Sequence, residues 1–135
     1  MNQIAPGQRW TYRTRPGEET STALVLAVDE SAGQTIISVS LDGLLIPHAA
    51  APDGYAHSIG HLPLSGEKFR ESVLELVETL QPVPREEGYS QWREAFDRGE
   101  AGVFTLTLAE IVEHMAEVLA PAPAPNVFGK TPFRP

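Results

Sequence analysis

Ser65-Gly66-Glu67-Lys68-Phe69-Arg70-Glu71-Ser72-Val73-Leu74-Glu75-Leu76-Val77-Glu78-Thr79-Leu80 is the stretch on which the fold class turns. Ahead of it, apolar residues recur at every second position. Within it, Phe69, Val73, Leu76 and Leu80 recur at spacings of four, three and four. That spacing marks one face of a helix. Glu67, Glu71, Glu75 and Glu78 take the opposite face, Ser65 is placed to cap the N-terminus, and Pro82 and Pro84 end the helix.

Upstream the period is two. Arg9-Trp10-Thr11-Tyr12-Arg13 alternates, with the aromatics on one face. Arg15-Pro16-Gly17-Glu18 has the residues of a turn. Thr20 to Val28 is a second strand, rich in Thr, Val and Leu. Asp29 to Gly33 is a turn, and Thr35 to Leu41 a third strand. Asp42-Gly43 is a two-residue hairpin signal, from which Leu44 to Ile46 returns as a short fourth strand, stopped at Pro47. Pro47 to His57 is a loop, and Ser58 to Leu62 a fifth strand. The expectation is an antiparallel meander or small barrel-like sheet.

Downstream, a second helix runs from about Tyr89 to Arg98 with Tyr89, Trp92 and Phe96 on one stripe, read as core together with Trp10. Arg93 and Asp97, and Glu94 and Arg98, stand four apart and can pair. Gly99 sits where a C-terminal cap belongs. Thr107 and Glu110 form a capping box before a third helix that turns Leu108, Ile111, Val112, Met115 and Leu119 inward. The fold class is therefore α+β, with about three C-terminal helices. Residues 1–120 are one domain, and 121–135 are a Pro-rich tail led by Pro-Ala-Pro-Ala-Pro, an extended linker.

The 135 residues carry 18 acids against 10 Lys and Arg, a net charge of −8. That weighs against nucleic acid and anionic lipid, both of which need positive potential. There is no cysteine, which excludes disulfide and thiolate chemistry. Met1 to Trp10 lacks a basic-then-apolar run, and no apolar stretch approaches the ~20 residues that span a bilayer. A cytoplasmic location is expected.

Pro6-Gly7 with Trp10 and Tyr12, Thr14-Arg15-Pro16-Gly17-Glu18-Glu19, Gly60-His61 with Pro63, Glu87-Gly88-Tyr89 with Trp92, and Ala101-Gly102-Val103-Phe104-Thr105 resemble the corresponding runs of a small family of uncharacterised bacterial proteins. The resemblance covers about residues 5–118. It implies a bacterial source and a free-standing small protein, and it implies no activity.

Four groups of residues are candidates for function. The Glu67, Glu71, Glu75 and Glu78 stripe suits a basic partner. Its like charges four apart cost a few tenths of a kcal/mol per pair, so the stripe does not serve the helix; its plainer role is a solvated face. His48, Asp53, Tyr55, His57 and His61 gather in and around the long loop, where sites are often placed. His57 and His61 on a strand stand about 13 Å apart and cannot share one ion, so no metal site is expected; surface histidines satisfied locally are the plainer account. Arg9, Arg13 and Arg15 could fork a phosphate or carboxylate, or pair with the chain's own acids. Phe128, Lys130, Phe133 and Arg134 bring two aromatics and two cations to the tail. That is the composition of a docking peptide, and also of a frayed end.

No residue order names a nucleophile or a base, so the sequence points away from an enzyme, and no cofactor is expected. The leading expectation is a small acidic bacterial binding protein that acts by protein–protein contact, of immunity, antidote or adaptor type, with a basic partner. A homodimer through the tail is a specific form of it. The alternative is a small-ligand or hydrolytic site at the His48–His61 loop. Nucleic-acid contact through Arg9, Arg13 and Arg15 comes third.

Overall fold

The computed structural model describes residues 3–83 and 87–119. Its elements are β1 (Gln8–Tyr12), β2 (Thr22–Ser31), β3 (Gln34–Asp42), β4 (Ile46–Pro47), β5 (Tyr55–Ala56), β6 (Ile59–Ser65), α1 (Gly66–Ser72), β7 (Val73–Thr79), α2 (Glu87–Asp97) and α3 (Leu108–Leu119). The fold is α+β, strands first and helices mostly after. Five strands make one antiparallel sheet in the order β6-β3-β2-β1-β7, and β4 pairs with β5 in a separate ribbon. The sheet is open; it does not close into a barrel.

β1, β2 and β3 are the expected meander. The β2–β3 turn is tighter than its composition suggests. Asp29 and Glu30 remain paired in the ladder, and the chain reverses at Ala32 and Gly33, both at positive φ (52° and 79°). Two such residues make the turn whose twist matches a hairpin.

The expected hairpin at Asp42-Gly43 does not form. β3 is already flanked by β2 and β6, so no slot is left for a returning strand. Gly43 instead carries the chain past Ser21 so closely that a Cβ would stand 3.0 Å from the Ser21 Cα. Leu44 and Ile46 then plunge into the core, and β4 pairs with β5 across what the sequence presents as a loop.

The largest departure lies in the deciding stretch. Ser65 caps a helix as expected, its hydroxyl accepting from the Lys68 amide. The helix ends at Ser72, and Val73–Thr79 continues without a loop as β7, paired with β1. The three-and-four spacing of apolar residues is real, but its cause is different. Tyr12 stands opposite Val73, Trp10 opposite Leu76 and Arg9 opposite Glu78. Leu74 and Glu75 thus share the place opposite Thr11, and Val77 is a second extra residue. Each bulge inserts one residue, which stretches the inward period from two to three. The Thr11 hydroxyl accepts from the Glu75 amide at 3.0 Å and holds the first bulge.

One face of the sheet carries Trp10, Tyr12, Ala23, Val25, Ile37, Val39, Leu41, Leu62 and Leu64 into a core with Phe69 of α1 and Leu108, Ile111 and Val112 of α3. Trp10 and Phe69 meet edge to face. Ser72 pins this layer: its hydroxyl donates to the Lys68 carbonyl and accepts from the Leu108 amide, and its carbonyl accepts from the Arg13 amide. The Thr107–Glu110 capping box forms as expected.

α2 crosses the other face, where Asp29, Ser38 and His61 alternate with core positions. No residue of α2 is buried. Trp92 is only half-buried, which corrects its expected place in the core. The stripe Tyr89, Trp92 and Phe96 forms a ladder of rings against His61 instead. Gly99, at φ 76°, ends the helix with bonds from Gly99 to Phe96 and from Glu100 to Ala95, the double closure of a Schellman cap. Arg93 pairs with Asp97 as expected, whereas Arg98 pairs with Glu100 rather than with Glu94.

Candidate functional site

β7 is the terminal strand of the sheet. At the opposite end, the margin of β6 is partly covered: Phe104 bridges to Leu64 and exchanges backbone bonds with Pro63 and Ser65. Among the described residues nothing pairs with the outer margin of β7. Its two bulge residues are apolar and exposed, Leu74 at 52% and Val77 at 54%.

The four glutamates do not form one helical stripe: Glu75 and Glu78 are on β7, Glu71 is near the end of α1, and Glu67, in the first turn of α1, instead bounds a hollow with Gln34 and Thr35. Glu71 accepts from Lys68 Nζ at 3.2 Å, and Glu78 from Arg9 Nε at 2.7 Å. Glu75 has no ion-pair partner among the described residues. The arrangement is a short apolar margin with acids beside and between its exposed side chains.

The histidines do not converge. His57 sits on the β4–β5 hairpin, where its Nδ1 donates to the Leu44 carbonyl at 3.0 Å and its Nε2 stands 2.6 Å from Asp53 Oδ2. Two acceptors on one imidazole favour its doubly protonated form. The hydrogen bond to Asp53 accordingly raises the His57 pKa, and the same bond holds the Asp53 carboxyl below its ordinary range. Both ring nitrogens are engaged, and His57 latches the hairpin to the Leu44 carbonyl. Tyr55 lies beside it, ring centroids 6.3 Å apart. The backbone of His48 closes the same hairpin onto Gly54.

His61 belongs to β6 and faces α2. Its Nε2 lies 3.0 Å from the Ser38 hydroxyl, within reach for a nucleophile and its base. Ser38, however, is fully buried, so a substrate carbonyl has no approach to it. Neither the hollow of about 440 Å³ bounded by Gln34, Thr35, Ser65, Gly66, Glu67 and Arg70 nor that of about 300 Å³ at Gly102, Val103 and Phe104 is lined by a histidine. Among the described residues no three His, Asp or Glu gather as metal ligands.

Two of the three arginines are engaged internally. Arg9 reaches Asp42 and Glu78, and Arg15 reaches Glu18 and Glu113. Burial pushes the Glu18 carboxyl up, but the Arg15 fork and the Leu45 amide pull it further down, to a net value below the ordinary range. Arg13 is exposed and lies outside β1. Arg9 and Arg15 thus serve different sets of acids.

Two anchoring residues escaped sequence reasoning. Asp29 accepts from the Tyr89 hydroxyl at 3.0 Å and faces Arg93, fastening α2 to β2. Its sequence reading as the first residue of a turn hid its place inside β2. Ser72 is the other; nothing in its local sequence marks it. Phe128, Lys130, Phe133 and Arg134 lie outside the described residues.

Comparisons with protein-family models, with curated proteins and with solved structures find no match. Among the described residues no helix is long and apolar enough to cross a membrane.

Proposed function

We propose that this chain is a protein-binding module that receives a basic, partly apolar segment of a partner along the β7 margin. The observation that carries the reading is Leu74 and Val77, each more than half exposed on the terminal strand of the sheet. Edge strands invite pairing, and proteins commonly blunt them with charge, Pro or bulges. Here the bulges are present, yet the residues they turn to solvent are Leu and Val rather than Lys. That choice costs solubility and is explained by a partner. Glu75 beside them, and a net charge of −8 over the chain, favour a cationic partner and speed its encounter. The bulges interrupt any long ladder, so the contact is carried by side chains with short stretches of backbone pairing.

The test is site-specific photo-crosslinking from Thr79 in the native cell, with and without the paired changes Leu74→Lys and Val77→Lys. Thermal unfolding confirms that both forms fold. A discrete adduct that disappears in the variant is expected. The same adduct in both forms, or none in either, counts against the reading.

A further inference from the structure

We infer that the segment received by the β7 margin is the C-terminal stretch Asn126 to Pro135 of a second copy of this chain. The inference rests on the margin being a docking surface at all. Its first support is charge. Lys130 and Arg134 give the tail +2 with no acid; since the whole chain stands at −8, residues 1–120 carry −10. Residues 1–17 are also acid-free and carry Arg9, Arg13 and Arg15, but Arg9 and Arg15 already pair with acids of the domain; the net negative charge of residues 1–120 attracts the tail.

The second support is chemical matching. The stretch Asn126-Val127-Phe128-Gly129-Lys130-Thr131-Pro132-Phe133-Arg134-Pro135 offers two large apolar side chains and two cations. The margin offers Leu74 and Val77 with Glu75 between them, and Glu71 close by at the end of α1. Pro132 and Pro135 lack the amide a continuous ladder requires. β7 is likewise broken by bulges at Leu74-Glu75 and at Val77. Both sides thus suit a contact made mainly through side chains.

The third support is composition. The alternating prolines of Pro121-Ala122-Pro123-Ala124-Pro125 disfavour a helix, and a Pro-rich spacer of this kind suits delivery of the ten residues that follow to a second copy. Each copy has one tail and one margin, so two copies exchanging tails satisfy every site. The assembly closes as a twofold dimer and does not polymerise.

Sedimentation of the full chain in the high micromolar range tests the inference. Four variants are compared: Phe128→Ser with Phe133→Ser, Leu74→Lys with Val77→Lys, Glu75→Lys, and Glu75→Lys with Lys130→Glu. The expected result is a dimer that added salt weakens. The first three variants should weaken it about tenfold or more, and the exchanged charge pair should restore part of the loss. A dimer abolished by the margin variant but indifferent to the tail variant would mean that margin meets margin, and overturns the inference. So does a dimer indifferent to both. A monomeric wild type also overturns it, whether or not amide exchange at Leu74 and Val77 shows the tail lying on its own margin. That last result leaves the docking surface standing for a different chain, which the crosslinking decides separately.

Discussion

The Arg15 guanidinium holds both oxygens of the Glu18 carboxylate, Nε to Oε1 at 2.9 Å and Nη2 to Oε2 at 2.8 Å. Glu18 is only 2% exposed. Its second oxygen also accepts from the Leu45 amide, and Arg15 reaches on to Glu113 of α3. One ion pair thereby joins the β1–β2 turn, the approach to β4 and α3. Glu18→Gln removes the charge while keeping the shape. Because Arg15 retains Glu113, the loss should be about 2–3 kcal/mol rather than the full cost of an orphaned buried ion. The acid limb supplies a second readout. A carboxyl whose folded value is depressed stabilises above its unfolded value and loses that contribution as pH falls through the folded one. Wild-type stability should therefore fall through the acid range, and the variant should follow a flatter curve in urea titrations at each pH.

Tyr12 governs the opposite limb. Burial, with smaller contributions from nearby carboxylates, pushes its hydroxyl up to about 12 from 10 despite the bond to Ser21. The unfolded chain loses this proton first. Stability is intact below pH 10 and should decline by about 2 kcal/mol as pH rises through 12. Tyr12→Phe should cost about 1 kcal/mol at neutral pH and lose this part of the alkaline dependence. An identical alkaline slope in both proteins would sink the assignment.

The two tryptophans should separate cleanly. Trp10 is 7% exposed at the centre of the main core, and Trp10→Ala should cost about 3–5 kcal/mol. Trp92 is half-buried on a helix with no buried residue, held by its bond to the Gly102 carbonyl and by stacked rings. Trp92→Ala should cost about 1–2 kcal/mol, and its effect should concentrate in faster amide exchange across α2. Equal losses at the two positions would show that α2 belongs to the central core.

Ser72→Ala removes the acceptor of the Leu108 amide at a buried site. One unsatisfied donor and one lost bond to the Lys68 carbonyl should together cost about 1–3 kcal/mol. Ser72→Thr keeps the hydroxyl, so it should recover the part due to hydrogen bonding and leave only the strain of an added methyl. A Ser72→Ala protein as stable as wild type would refute the pin.

The His57 latch gives a local pH effect. Its folded value is raised by Asp53, so the latch is strongest below the ordinary histidine value and loosens as pH rises through the folded one. Exchange of the amides in residues 44–57 should quicken over that range, and Asp53→Asn should abolish the pH dependence. Unchanged exchange across the titration would remove His57 from this role.

The strands of the meander, the Ser65 and Thr107 caps and the Gly99 stop were legible because each rests on a local rule of backbone chemistry. The strand at Val73–Thr79 was not. Two bulges gave it the apolar spacing of a helix, and only its pairing with β1 decides between the two. Trp92 was misplaced for a related reason: an aromatic stripe says that a helix has a sticky face, but not how deep the opposing surface lies. Of the candidate site, the acids were visible from the outset. The exposure of Leu74 and Val77 was hidden, since in a helix Leu74 and Val77 flank the stripe and imply no open margin.

The direct passage from α1 into β7 has a consequence for how this protein can vary over time. Loops absorb insertions because slack lets the flanking elements keep their partners. At the junction of Ser72 and Val73 there is no slack, and Ser72 is bonded to its own helix at Lys68 and to two other segments, at Arg13 and Leu108. One added or deleted residue between Gly66 and Thr79 would move either Phe69 out of the core or Val73 and Leu76 off Tyr12 and Trp10. Among descendants of this gene, substitutions should accumulate in this segment while its length stays frozen, and changes in length should be confined to the turns at Ala32-Gly33 and at residues 49–54.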